Sequence, residues 1–114
     1  MKRLVLTLVA MTVLMGPSLL AQDAKKIEAG KQLYNAKECA KCHMIAGKGN
    51  KIGKLDGVAT KVNAADMRKW LTNPVEMEKT LDHKPKVKMS SKIDTMKLKD
   101  ADIDALVEYL QTLK

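Results

Sequence analysis

Aromatic residues are scarce in this sequence. Its 114 residues include no phenylalanine, one tryptophan and two tyrosines, whereas lysine and arginine together number 21 against 13 acidic residues. A chain with so few aromatic side chains offers no stacking platform for nucleic acid, and it carries no nucleic-acid-binding motif. We therefore expect no nucleic-acid partner despite the net charge of +8. The chain also lacks the bulky aromatic side chains that usually fill the core of a domain this small.

Long apolar runs are missing as well. The longest, residues 4–15, is too short to span a bilayer comfortably. It follows two basic residues and leads to a small residue, an order that is typical of a secretory signal peptide. We predict a cleaved signal peptide at residues 1–21 and one domain at residues 22–114, exported to the periplasm or beyond, with no stable membrane insertion. Cleavage would lower the net charge to +6, and the alternative is an uncleaved N-terminal anchor.

The only two cysteines of the chain lie in the stretch Cys39-Ala40-Lys41-Cys42-His43. Two cysteines at this spacing with a histidine directly after the second form the attachment pattern of a c-type haem. Each thiol adds to one vinyl group of the porphyrin, and the adjacent imidazole becomes the proximal iron ligand. We predict one covalent haem c held by Cys39 and Cys42, with His43 on the iron. A buried haem would also supply the apolar volume that the chain lacks.

Three other interpretations of the cysteine pair stay open at this point. A thioredoxin-like dithiol usually lies near a βαβ pattern, and no segment here alternates as a strand would. A tetrahedral zinc site needs four ligands, and beyond the cysteines only His43 and His83 are available as histidines. A plain structural disulfide is the third alternative.

Apolar spacing of three and four residues predicts an all-α chain of short helices. The first helix runs from Asp23, as N-cap, to Glu38; Gly30 within it marks either a close approach of another element or an exposed glycine. A glycine-rich loop is predicted at 47–57, followed by a helix with Asn63 as N-cap that stops at Asn73. Pro74 then starts a short turn from Val75 to Leu81. An irregular basic segment at 82–99 leads to a helix at 100–113 with an apolar stripe.

These residues resemble a class I bacterial cytochrome c over nearly the whole predicted mature chain. The segments that carry the resemblance are residues 29–34, the haem motif at 39–43, and residues 54–58, 67–74, 88–90 and 105–110. The resemblance implies the cytochrome c fold, with three to five short helices around one covalently bound haem. Its first and last helices cross, with Gly30 against Tyr109 or Leu110. The resemblance also implies a soluble, monomeric carrier of single electrons between larger redox proteins, and not an enzyme.

The resemblance places the distal iron ligand at Met89. Met96 and His83 are the alternatives, as is an open site, and histidine would give a lower potential than methionine. Ser90 follows Met89 where this family commonly has proline. The family's proline before Leu55, whose carbonyl accepts a hydrogen bond from the proximal imidazole, is also absent, so we expect another carbonyl, that of residue 51 or 52, in that role.

Two further expectations concern packing and partners. Trp70 either packs against the haem or is an ordinary core tryptophan. The lysines near the motif and in the basic segment would steer association with acidic redox partners, although they could equally serve as a solubilising face. Two other functions remain alternatives: a haem enzyme or small-ligand sensor with an open distal site, and an electron-transfer subunit of a larger complex.

Overall fold

Helices make up most of residues 19–114, the part of the chain that the structure, a computed structural model, describes. The five helices in this range are α1 (Leu19–Ala36), α2 (Ala64–Thr72), α3 (Pro74–Glu78), α4 (Ser90–Met96) and α5 (Asp100–Leu110). This content agrees with the predicted all-α fold. None of these helices is both long enough and apolar enough to cross a membrane.

The first helix begins earlier than predicted. α1 starts at Leu19, so Asp23 lies in its second turn, and the prediction of Asp23 as N-cap is wrong. Leucine, alanine and glutamine are favourable in helices, and they continue the helix upstream of Asp23. Of the predicted signal peptide, residues 1–18 lie outside the described residues, so its cleavage stays a prediction.

A small sheet begins at His43, the last residue of the motif, and extends into the predicted loop at 47–57, although no strand was predicted. Its strands are β1 (His43–Ile45), β2 (Lys48–Gly49) and β3 (Gly53–Lys54). β1 lies in the middle, antiparallel to β2 and parallel to β3. The carbonyl of His43 accepts a hydrogen bond from the backbone N–H of Asn50 at 2.9 Å. Strands of two or three residues are too short to display alternation, which is why the pattern did not predict them.

The predicted N-cap of α2 and the predicted proline start of α3 are confirmed. The side chain of Asn63 accepts a hydrogen bond from the backbone N–H of Asp66 at 2.8 Å, which satisfies one free donor at the start of α2. α2 ends before Asn73, and Pro74 opens α3, because proline disfavours helix in the residue before it yet fits a first helical position. α3 ends at Glu78, three residues short of the predicted Leu81.

The segment at 82–99 was predicted to be irregular, and for residues 90–96 that prediction is wrong. These residues form α4. Ile93 is its one buried side chain, at 7% exposure. A helix of two turns with a single apolar anchor leaves no periodicity to detect, so a contact from outside the helix must help to define it.

The core lies between α2 and α5. Met67, Ile103 and Val107 form its centre, and Met67 is only 2% exposed. Six partly buried apolar residues pack around them: Val58, Ala59, Val62, Leu71, Leu98 and Leu110. The predicted stripe on the last helix is therefore confirmed through Leu110. Leu113 lies beyond the end of α5.

The first helix packs against the last at Gly30. A Cβ atom at this position would lie 2.0 Å from the carbonyl oxygen of Ala105 and 2.7 Å from Cβ of Tyr109. Of the two roles considered for this glycine, the structure supports the close approach. Next to this contact, the rings of Tyr34 and Tyr109 meet edge to face with centroids 6.1 Å apart, a favoured geometry for aromatic pairs.

We expect Gly30→Ala to lower the free energy of unfolding by about 1–3 kcal/mol, because the added methyl group meets the backbone of α5 rather than a flexible side chain. Denaturant titration would measure the change. Lys31→Ala, at the next and exposed position of α1, is the control and should lie within about 0.5 kcal/mol of the unsubstituted protein. Equal stability of the two variants would contradict the close approach.

Candidate functional site

The two cysteines lie on a tight turn directly after α1. Cys39–Lys41 form a single turn of 3₁₀ helix, and the backbone N–H of Cys42 donates to the carbonyl of Cys39 at 3.1 Å. Residues three apart on such a turn fall on the same side of it. Both cysteines are free, Cys39 half-buried and Cys42 exposed. The turn therefore favours attachment of both sulfurs to one ring, and the pair does not form the disulfide that the sequence left open.

The chain enters this turn through a strained residue. Glu38 has φ 58° and ψ 33°, the left-handed region that glycine and asparagine adopt more readily than glutamate. Its carboxylate accepts a hydrogen bond from Nζ of Lys41 at 2.7 Å, but both side chains are mostly exposed, so this ion pair stabilises little. Non-glycine residues in this conformation persist where surrounding structure fixes them, and they cluster at functional sites.

His43 is oriented by a backbone carbonyl. Its Nδ1 lies 3.0 Å from the carbonyl oxygen of Gly53. A carbonyl only accepts hydrogen bonds, so Nδ1 carries the proton and Nε2 keeps its lone pair for a metal. Burial lowers the pKa of His43, and the hydrogen bond to Gly53 raises it in part. The half-buried ring is thus favoured in its neutral form, the form that binds iron.

The carbonyl expected for this role was that of Lys51 or Ile52, and that expectation is wrong. The parallel pairing of β1 with β3 sets His43 opposite Gly53, which brings the carbonyl of Gly53 to the ring. A Cβ atom on Gly53 would lie 2.3 Å from the carbonyl oxygen of Cys42 and 2.8 Å from Nδ1 of His43. Only glycine allows the backbone to come this close to the histidine ring. The glycine ten residues after the histidine was therefore the feature of the sequence from which this carbonyl could have been predicted.

Burial also affects the groups on the other side of the motif. It raises the pKa of the Cys39 thiol. Tyr34 is 6% exposed, and its hydroxyl has no hydrogen-bond partner within the described residues. Its pKa is raised to about 12, first by burial and then by the nearby charges of Cys39, Tyr109 and Asp56. A buried phenol without a partner marks this as an apolar environment beside the cysteine turn.

The donor set fits a haem and does not fit the metal alternative. Within residues 19–114, no group of three or more histidine, cysteine or acidic side chains is placed to hold a metal ion, so the cysteine pair is not half of a zinc site there. Two free sulfurs on one turn and an adjacent imidazole with an available Nε2 are what a c-type haem requires. A cleft of about 360 Å³ lies beside Cys42, between the end of α1 and α4.

The structure holds the candidate distal ligands in different ways. Met89 is half-buried directly before α4, and its carbonyl accepts the backbone N–H of Ile93 at 3.0 Å. Met96 is half-buried at the end of the same helix, where its carbonyl accepts Nζ of Lys37 at 2.9 Å. His83 is exposed in an irregular segment.

Trp70 lies on α2, half-buried, on a helix whose Met67 belongs to the core. Its contact with the haem stays a prediction. Sequence reasoning missed the carboxylate of Glu78, which accepts two hydrogen bonds from Ser90. The two residues are twelve apart, on different helices, and no local pattern joins them.

Comparison with known proteins gives one family. No curated protein and no solved structure matches the chain. The family model described as Cytochrome c matches residues 27–114, which include the cysteine turn, His43 and the last four helices. Proteins of this family bind covalently attached haem c, usually transfer electrons and are typically exported. The match confirms the predicted haem c, and the chain belongs to the cytochrome c family as a small c-type cytochrome.

Proposed function

We propose that this protein is a soluble one-electron carrier of the class I bacterial type, with His43 and Met89 as the axial ligands of its haem iron. The observation that carries the proposal is the His43 imidazole, fixed by the Gly53 carbonyl at 3.0 Å with Nε2 left available, next to two free cysteines on one turn. An iron held on both axial sides changes charge without exchanging partners, which suits a carrier better than an enzyme.

The chain's own residues have three tasks in this mechanism. The haem, when bound, supplies reversible one-electron chemistry at its iron. Cys39 and Cys42 would tether the ring at one edge. The hydrogen bond to Gly53 keeps the His43 ring in one orientation and makes it a stronger electron donor. A methionine on the other side favours iron(II) and so raises the potential relative to a second histidine.

Met89 is proposed as the distal ligand, in preference to Met96 and His83, because of its position in the chain and in the structure. It is half-buried, whereas His83 is exposed. Met96 has its carbonyl bound to Lys37, at the end of α1 next to the cysteine turn. That contact holds the end of α4 near the cysteine turn, where Met96 also lines the cleft beside Cys42. Met89 lies at the other end of α4, and we propose it for the distal side because it is the position that the family resemblance implies.

The exposed lysines support a partner with an acidic docking surface. Ten lysines near the motif and around α4 are exposed: Lys41, Lys48, Lys51, Lys54, Lys84, Lys86, Lys88, Lys92, Lys97 and Lys99. Between two of them, Ile52 is 90% exposed and offers an apolar contact. Charge at the rim of an interface raises the association rate more than it raises affinity. We propose a monomer that docks transiently through this basic face.

The primary test of the proposed function is whether the exported protein loses its signal peptide and gains a covalent haem. We propose export with removal of residues 1–21, so the protein purified from the periplasm should have the mass of residues 22–114 plus one haem. A pyridine haemochrome spectrum should show two thioether links. A colourless protein with free thiols, produced beside a working haem-attachment system, would refute the proposed function.

Met89→Ala should abolish the weak red absorption band that thioether ligation gives the oxidised protein, and it should lower the midpoint potential, because the iron loses its sulfur ligand. Met96→Ala and His83→Ala are the matched controls and should keep both properties. The assignment is wrong if Met96→Ala loses the band and Met89→Ala keeps it. Rapid carbon monoxide binding by the unsubstituted reduced protein would instead favour an enzyme or a sensor.

Gly53→Ala should raise the midpoint potential and lower the free energy of unfolding by about 1–3 kcal/mol, since the added methyl group forces β3 away from Cys42 and from the His43 ring. Redox titration and denaturant titration measure the two effects. Lys54→Ala, at the exposed neighbour in β3, serves as control. A Gly53→Ala protein with unchanged potential would show that the hydrogen bond does not tune the iron.

Electron transfer to a small redox protein of net negative charge should slow several-fold as ionic strength rises from about 10 mM to about 150 mM, because the screening length falls from roughly 30 to 8 Å. Stopped-flow kinetics measure the rate. Lys88→Glu should reduce the rate and flatten its salt dependence, whereas Lys25→Glu, on the exposed part of α1, should change neither strongly. A rate independent of salt would exclude electrostatic steering.

A further inference from the structure

One carboxylate joins the end of α3 to the start of α4. Oε1 of Glu78 accepts the backbone N–H of Ser90 at 2.8 Å, and Oε2 accepts the Ser90 hydroxyl at 2.9 Å. Both hydrogen bonds are partly buried. Hydrogen bonds that involve an ionised group are stronger than those between neutral groups. Through these two hydrogen bonds, the Glu78 side chain holds a residue that lies twelve positions later in the chain.

This contact closes a loop that has little other structure. Residues 79–89 contain turns and bends but no helix or strand, and Val87 within them is 59% exposed. At the near end, the loop leaves α3, whose first residue, Pro74, is buried. At the far end lies Met89, one residue before the contact. Fixing Ser90 to Glu78 thus fixes the position of Met89 relative to α3.

We propose that Glu78 is a positioning residue for the distal ligand: by holding Ser90 at both its backbone and its side chain, the carboxylate keeps the neighbouring Met89 on the iron. This inference rests on the proposed ligation by Met89. A movement of the loop away from α3 would carry Met89 off the iron, and the two hydrogen bonds oppose that movement.

The nearest alternative role for Glu78 is a purely structural one. A carboxylate near the start of a helix stabilises that helix, wherever the helix lies. Such a role would change global unfolding and nothing more. A positioning role changes the local opening of the methionine ligand in protein that stays folded. Cyanide reports on that local opening, because it binds the oxidised iron only after the methionine has left.

The experiment measures cyanide association with the oxidised, haem-loaded protein together with its red thioether band and its thermal unfolding. Glu78→Ala should accelerate cyanide binding about tenfold or more, as expected for the loss of charge-assisted hydrogen bonds, and should weaken the band. Glu76→Ala is the matched control. That residue lies on the same helix, is exposed and contacts Lys79 at 2.6 Å, so its variant should bind cyanide as slowly as the unsubstituted protein.

Two milder variants provide the test if Glu78→Ala folds poorly. Ser90→Ala removes the hydroxyl bond and keeps the backbone bond, so it should give an intermediate acceleration. Glu78→Gln keeps an acceptor oxygen without the charge and should fall between Glu78→Ala and the unsubstituted protein. Faster cyanide binding by both milder variants than by Glu76→Ala and by the unsubstituted protein is then the signature of positioning.

Different failures are distinguishable. The positioning role is overturned if Glu78→Ala and Ser90→Ala bind cyanide at the rate of Glu76→Ala while the band persists. It is also overturned if the acceleration equals the increase in the globally unfolded fraction. If the unsubstituted protein lacks the band and binds cyanide rapidly, Met89 is not the ligand, and the proposed ligation is overturned together with the role of Glu78.

Discussion

The hydrogen bond between His43 and Gly53 is the constraint on which the site depends. It places the proton on Nδ1, so Nε2 is available for iron, and it sets the ring plane before any metal binds. It exists because β1 and β3 pair in parallel, and that pairing exists because residue 53 has no side chain to meet the backbone of Cys42. Within the described residues, a sheet of seven residues in an otherwise helical fold therefore orients the proposed proximal ligand.

The haem would also contribute to the folding stability of this chain. The described core centres on Met67, Ile103 and Val107, and the protein has no phenylalanine to enlarge it. Small domains bury a smaller fraction of their surface than large ones and are correspondingly marginal. A ligand that binds the folded chain adds its binding free energy to folding, and a covalent ligand cannot be lost by dilution. The proposed attachment at Cys39 and Cys42 would thus offset the shortage of bulky aromatic side chains in the composition.

Features that depend on a few neighbouring residues could be predicted from the sequence. Features that depend on contacts between distant segments could not. The haem motif, the Asn63 cap and the Pro74 helix start depend on local chemistry, and all three lie where predicted. Gly30 had two possible roles until α5 was placed against it. α4 was missed because it has one buried residue, Ile93, and its start is bonded to a carboxylate on another helix.

The two axial ligands of the iron would be held by contacts that span different distances along the chain. This difference predicts which ligand is lost first on denaturation. The proposed proximal side has the hydrogen bond between His43 and Gly53, which are ten residues apart, and it would gain two covalent bonds at Cys39 and Cys42 once the haem is attached. Under the proposed ligation, the distal side depends on Met89 at the end of an irregular loop tied by Glu78. Local opening follows the region with the fewest buried contacts. Mild denaturation of the oxidised protein should therefore remove the red thioether band before the helical circular dichroism falls, whereas simultaneous loss of both signals would show that the distal loop and the helices unfold as one unit.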